Sequence, residues 1–119
     1  MTDKTIIDLD DALNRALGDA AFLKMMFDEF HQTLPEFIAT IEEAVRKADM
    51  ASLDRTAHQL KGASANLGVV SVSAASLTLE RIGKSNKPDG AAQALETLQK
   101  AVEDFKHQLA GIDWAVLGD

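Results

Sequence analysis

The sequence predicts an all-α protein, an up-down antiparallel four-helix bundle with a short N-terminal lid helix. Three observations carry this expectation. Apolar residues recur at alternating spacings of four and three along most of the chain, which traces one face of an α-helix. Alternation of the β type is nowhere sustained, and proline is confined to Pro35 and Pro88. The stretches between the apolar runs are short, so consecutive helices must lie as antiparallel neighbours.

Taken in order, Leu9 to Leu17 form a first short helix that ends at Gly18. Asp19 caps a long second helix. In it Leu23, Phe27, Phe30, Leu34, Phe37, Ile41 and Ala44 make one continuous apolar stripe. Pro35 lies inside this run, and the stripe keeps its phase beyond it, so the proline bends the helix rather than ending it. Asp49 caps a third helix, Met50 to Leu67, closed by Gly68. Ser71 caps a fourth, which ends between Gly83 and Asn86. The segment KPDG is a turn, and Asp89 caps a fifth helix in which Ala91, Leu95, Leu98, Val102, Phe105 and Leu109 again step by four and three. The tail GIDWAVLGD adds one turn, with Trp114 packed back on the bundle.

A length of 119 residues suits one domain spanning 1–119. The composition, 46% hydrophobic and 26% charged, is that of a soluble globular protein. No apolar run approaches the ~18 residues that would span a bilayer. The start, MTDKTIIDLDDAL, has no basic region followed by an apolar one, so no signal peptide is expected. The absence of cysteine excludes disulfides and thiolate metal sites and fits the cytoplasm. A net charge of -7 argues against nucleic acid and anionic membrane as partners, since both require a positive surface.

The chemistry concentrates on the third helix, in TAHQLKGASANLG, residues 56–68. On a wheel of about 100° per residue, Leu53, Thr56, Ala57, Leu60, Ala63 and Leu67 face the core. His58 points the opposite way. Within about 60° of it stand Asp54, Arg55, Lys61, Gly62 and Ala65. A glycine inside a helix costs about 1 kcal/mol relative to alanine. Its place one turn from an exposed imidazole marks close approach by another molecule. A nucleophilic ring nitrogen, a cation one turn away and room for a partner backbone suit transfer of an anionic group, the phosphoryl group first among them. His31 and His107 have no such surroundings and read as surface residues. With Glu29, Glu36 or Asp104 they form no HExxH or acidic-loop metal spacing, and no Gly-rich phosphate loop exists for binding ATP.

The stretch TAHQLKGASANLG resembles the motif of histidine-containing phosphotransfer domains, in which histidine is followed by any residue, leucine, lysine, glycine, small residues and a closing glycine. The thirteen-residue match is specific, and the resemblance extends over nearly the whole chain. IDLDDALNRALGDAAFLKMMFDEFHQTLPEFIATIEEAV is similar to the family's first two helices, and ASLDRTAHQLKG to its approach to the active histidine. The resemblance implies a four-helix bundle whose histidine takes a phosphoryl group from one receiver-domain aspartate and passes it to another. It assigns His58 as the phospho-acceptor, Lys61 as the cation that neutralises the phosphoryl charge and Gly62 as the glycine that permits docking. The family carries a glutamine or glutamate on the next helix that bonds the imidazole. The residue 22 positions beyond His58 is Glu80, and that role is carried onto it. A carboxylate accepting from Nδ1–H would fix the tautomer and leave Nε2 as the nucleophile.

The resulting expectation is a free-standing phosphoryl carrier in a multistep His–Asp relay, not an enzyme with its own ATP site. Its partners would be response-regulator receiver domains and a hybrid sensor histidine kinase, docking on Asp54, Arg55, Gly62 and Ala65 around His58. It needs no cofactor, the metal ion being expected only in the receiver, and it works as a monomer. Two rivals are a module that docks receivers without turnover, and the phosphorylated N-terminal domain of a chemotaxis-type kinase. Intact His58, Lys61 and Gly62 count against the first. Met1 directly before the first helix, with no trailing linker, favours a complete small protein over the second.

Overall fold

A computed structural model describes residues 5–117; the expectation placed on Met1 and the last two residues of the tail lie outside them. Six helices follow one another: α1 (Leu9–Arg15), α2 (Ala20–Lys47), α3 (Met50–Asn66), α4 (Val70–Ser85), α5 (Ala91–Ala110) and α6 (Trp114–Leu117). Helices α2 to α5 pack in a ring, each on its sequence neighbour and α5 back on α2. This is the up-down bundle, with α1 and α6 laid against α2.

Aspartates start the first three helices by the same device. The carboxylates of Asp8, Asp19 and Asp49 accept from the amides of Asp11, Phe22 and Ser52 at 3.0, 3.0 and 3.1 Å, satisfying donors the helix cannot use itself. Helix α1 is shorter than the sequence suggests. Leu17 turns left-handed, and the Gly18 amide bonds back to the Leu13 carbonyl at 2.8 Å, closing the helix with a Schellman-type turn. Helix α3 likewise ends at Asn66, with Leu67 as its cap.

Two expected caps are corrected. Helix α4 begins at Val70, with Val69 rather than Ser71 at the cap and no capping side chain. Val69 is buried, and the Ser71 amide is satisfied instead by the Ile6 carbonyl at 3.3 Å. The N-terminal segment therefore does the work a capping side chain would do. At α5 the cap is Gly90, left-handed at φ +80°, not Asp89. The turn delivers the Ala91 amide to the Pro88 carbonyl at 3.0 Å and leaves Asp89 exposed.

Helix α2 runs unbroken through Pro35 and buries Leu23, Phe27, Phe30, Leu34, Ile41 and Ala44. Phe105 of α5 meets Phe27 and Phe30 edge to face, with ring centroids 6.0 and 5.5 Å apart, a favoured aromatic arrangement. Trp114 packs its ring 6.0 Å from Phe27, as the tail was expected to do. In α5 the buried line runs through Ala94 and Ala101, and Leu95 and Leu109 are only half-buried. No helix among the described residues is long and apolar enough to cross a membrane.

Candidate functional site

The site lies on the α3–α4 pair, the most extensively packed in the molecule. Small residues allow that closeness. A Cβ on Gly83 would come within 2.6 Å of the Asp54 backbone nitrogen, so only glycine fits there. Ser64 and Ser76 are fully buried between the helices, and each returns its hydroxyl to its own backbone, Ser64 to Leu60 O and Ser76 to Val72 O, both at 2.7 Å. Their polar groups are thus satisfied without any partner in the core. Ala63 and Leu67 pack on the core side as the wheel predicts, though only half-buried, and Ser64 beside them is fully buried.

On the outer side of this seam His58 projects from α3 with its side chain 66% exposed. Its Nδ1 lies 2.7 Å from Oε2 of Glu80, on α4. Glu80 is the one charged residue among the described residues that is buried, with a side chain only 4% exposed. Lys61, one turn beyond His58, sets its ammonium 2.6 Å from the other oxygen, Oε1. This contact is an ion pair on the oxygen that His58 leaves free. The Lys61 ammonium first, and the bond from His58 second, hold the Glu80 carboxyl at about 2 against a usual 4.5, outweighing the cost of burial. Glu80 is therefore an ionised, acceptor-only group at neutral pH. In a neutral imidazole that places the proton on Nδ1 and leaves the lone pair on Nε2.

The remaining predicted positions flank the histidine. Arg55, Gly62 and Ala65 are exposed on the same helix. A Cβ on Gly62 would meet nothing within 4 Å, so the helix surface one turn beyond the imidazole is open. A shallow groove leads from Lys61 and Ala65 towards Val70, Ser73 and Leu77. Asp54 differs from the others. It is half-buried, and its carboxylate binds Lys84 of α4 with Oδ1 to Nζ 3.1 Å. Lys84 was not singled out from the sequence. Its spacing of four from Glu80 was the available signal, and its Nζ lies 3.7 Å from Glu80 Oε2. His31 is half-buried and His107 exposed, both on helices that carry none of the site. Among the described residues no three His, Cys, Asp or Glu side chains are grouped to hold a metal ion.

A bundle that holds one imidazole outward, braced from behind and open in front, is built as a carrier that hands a group from one protein to another. Comparison with known proteins agrees. The sequence profile of the Hpt domain matches residues 25–108, and the chain belongs to that family, the histidine phosphotransfer domains of phosphorelays. Such domains are phosphocarriers that work with receiver domains and hybrid kinases. The fold is similar to that of the histidine-containing phosphotransfer protein B (HptB) of Pseudomonas aeruginosa PAO1, with TM-score 0.80, 19% identity, and 93% of this chain and 100% of that one covered. It is also similar to the HPT domain of a sensor hybrid histidine kinase from Shewanella, with TM-score 0.71, 23% identity, and 91% and 97% covered. No curated protein sequence matches the chain.

Proposed function

We propose that His58 is the phosphoryl acceptor and that Nε2 is the atom that carries the group between receiver domains. The observation that supports this most is the bond from His58 Nδ1 to the buried Glu80 carboxylate at 2.7 Å. Nε2 attacks the phosphorus of a receiver's aspartyl phosphate; the N–P bond forms as the O–P bond breaks, and the aspartate leaves as carboxylate. The ring gains positive charge as Nε2 gives up its pair, and the Nδ1–H bond to Glu80 strengthens to meet it. Lys61 supplies positive charge to the phosphoryl oxygens as a point charge. The reverse step loads a second receiver.

In this reading Arg55, Gly62, Ala65 and the rim of Asp54 form the docking face. The receiver brings the metal ion and most of the electrostatic stabilisation of the transferring group. The chain takes its phosphate from protein partners rather than ATP, needs no cofactor of its own and acts as a cytoplasmic monomer. Incubation with a phosphorylated receiver tests this: acid-labile phosphate should appear on the wild type. His58→Gln should stay folded, since the side chain is largely exposed and the glutamine amide can still donate to Glu80, and should take no label. Label on His58→Gln would place the acceptor elsewhere.

A further inference from the structure

Glu80 needs a cation at all times, because a buried carboxylate left unpaired is strongly destabilising. Two ammonium groups are in reach. Lys61 Nζ is 2.6 Å from Oε1, and Lys84 Nζ is 3.7 Å from Oε2, the oxygen that also accepts from His58. Lys84 is at the same time bound to Asp54 at 3.1 Å and is itself 61% exposed, so it is shared between two carboxylates and leans towards Asp54. With the ring neutral, the charges of Lys61, Lys84, Asp54 and Glu80 cancel.

Phosphorylation upsets that balance by adding close to two negative charges to the ring that Glu80 holds. Lys61 then has two anions to serve, one buried and one facing solvent. The geometry points to Lys84 as a reserve counterion: when His58 carries phosphate, Lys61 turns outward to the phosphoryl oxygens and Lys84 passes from Asp54 to Glu80. Its direction of travel is set by burial. The Asp54 side chain is 32% exposed and can be solvated when it loses its cation, whereas Glu80 at 4% cannot. The distance to close is short, since Lys84 stands one helical turn from Glu80 on the same face. Gly83 holds the pieces together, because α4 can press its backbone against Asp54 only where a side chain is missing. Lys84 is thus a positioning residue that acts through Glu80, and its role rests on His58 being the acceptor.

Phosphoramidate, a small donor that needs no docked surface, tests the idea on the full chain with wild type, Lys84→Gln, Lys84→Arg, Glu80→Gln and the double variant Lys84→Gln/Glu80→Gln. Before phosphorylation, Lys84→Gln should show the wild-type imidazole nitrogen spectrum, because Lys61 still serves Glu80. After phosphorylation its Nδ1–H should lose the signature of the bond to Glu80, and the rate of label uptake should fall about fivefold. Lys84→Arg should restore both. In the Glu80→Gln background Lys84→Gln should add nothing, since there is no buried charge left to serve. Uptake within about twofold of wild type together with an unchanged phosphorylated spectrum would overturn the assignment. So would a full Lys84 effect that persists with Glu80→Gln, which would mean that Lys84 acts on the phosphoryl group itself. A wild type that takes no phosphate on His58 would overturn the acceptor reading and this one with it, whereas a labelled wild type with silent Lys84 variants removes this one alone.

Discussion

Glu80 is an ionised side chain shut from water at the rim of the bundle, and its charge ties the site to the stability of the fold. Its carboxyl titrates at about 2 when folded against 4.5 ordinarily. A carboxyl lowered in this way stabilises the fold in full above the ordinary value, and the contribution drains away as pH falls through the folded one. Acid should therefore weaken the protein between pH 4.5 and about 2. Glu43 on α2 is also lowered to about 2, by Arg46 first and then Lys47, but these exposed pairs are screened by solvent and add little to the loss. Glu80→Gln removes only the Glu80 share. Urea unfolding at steps across the window should show a shallower loss for Glu80→Gln than for wild type, and equal slopes would mean that the buried carboxylate has no linkage to folding. The exposed His58, with Lys61 and Gly62 beside it, follows from helical angles alone, because the wheel of α3 needs no knowledge of the other helices. The burial of Glu80 does not. Read by itself α4 offers no reason to bury a glutamate, and that position comes from the closeness of α3, a tertiary fact.

Helices α3 and α4 carry glycines with opposite purposes. Gly62 faces open space, so alanine or glutamine there improves the free helix by up to about 1 kcal/mol. Gly62→Gln should melt at a higher temperature yet lose at least about tenfold in transfer to and from a receiver, ~1.4 kcal/mol in the barrier. Phosphoramidate should notice the change much less. Equal losses with both donors would show that the substitution disturbs the histidine rather than the docking space. Gly83 faces backbone, and Gly83→Ala should cost about 1–3 kcal/mol as an overpacked contact. The same substitution should lengthen the reach from Glu80 to Nδ1 and alter the imidazole nitrogen spectrum; an unchanged melting point and spectrum would mean that the helices separate freely there. The extent of these elements was largely legible. Their ends were less so, because Ser71 and Asp89 look like caps in isolation. The amide at one start is satisfied by a distant carbonyl, and a left-handed glycine sets up the other.

At the scale of the whole molecule, the ring of helices is closed by α2 and α5 through the Phe27, Phe30 and Phe105 contacts, far in sequence from the histidine. His58, Glu80 and Lys61, the groups of the proposed site that contact one another, come from α3 and α4 alone. The short-range helix periods made the bundle readable, while the choice of which helix ends receive help from elsewhere depended on the folded whole. One such piece of help is the pair of backbone bonds by which the N-terminal segment spans the α3–α4 turn, Asp8 N to Gly68 O at 2.8 Å and Ile6 O to Ser71 N at 3.3 Å. If this segment lifts away, Ser71 loses its acceptor and the start of α4 frays. Glu80 stands nine residues further on, about 13 Å along the helix axis. Amide hydrogen exchange should then sort the molecule into two classes. The amides of Asp8 and Ser71 should exchange together through a shallow local opening, and those around Leu60 and Leu79 only when the bundle comes apart. Uniform protection from end to end would contradict this. Opening of the N-terminal segment thus stops short of Glu80, and the brace behind His58 holds while the first turn of α4 is loose.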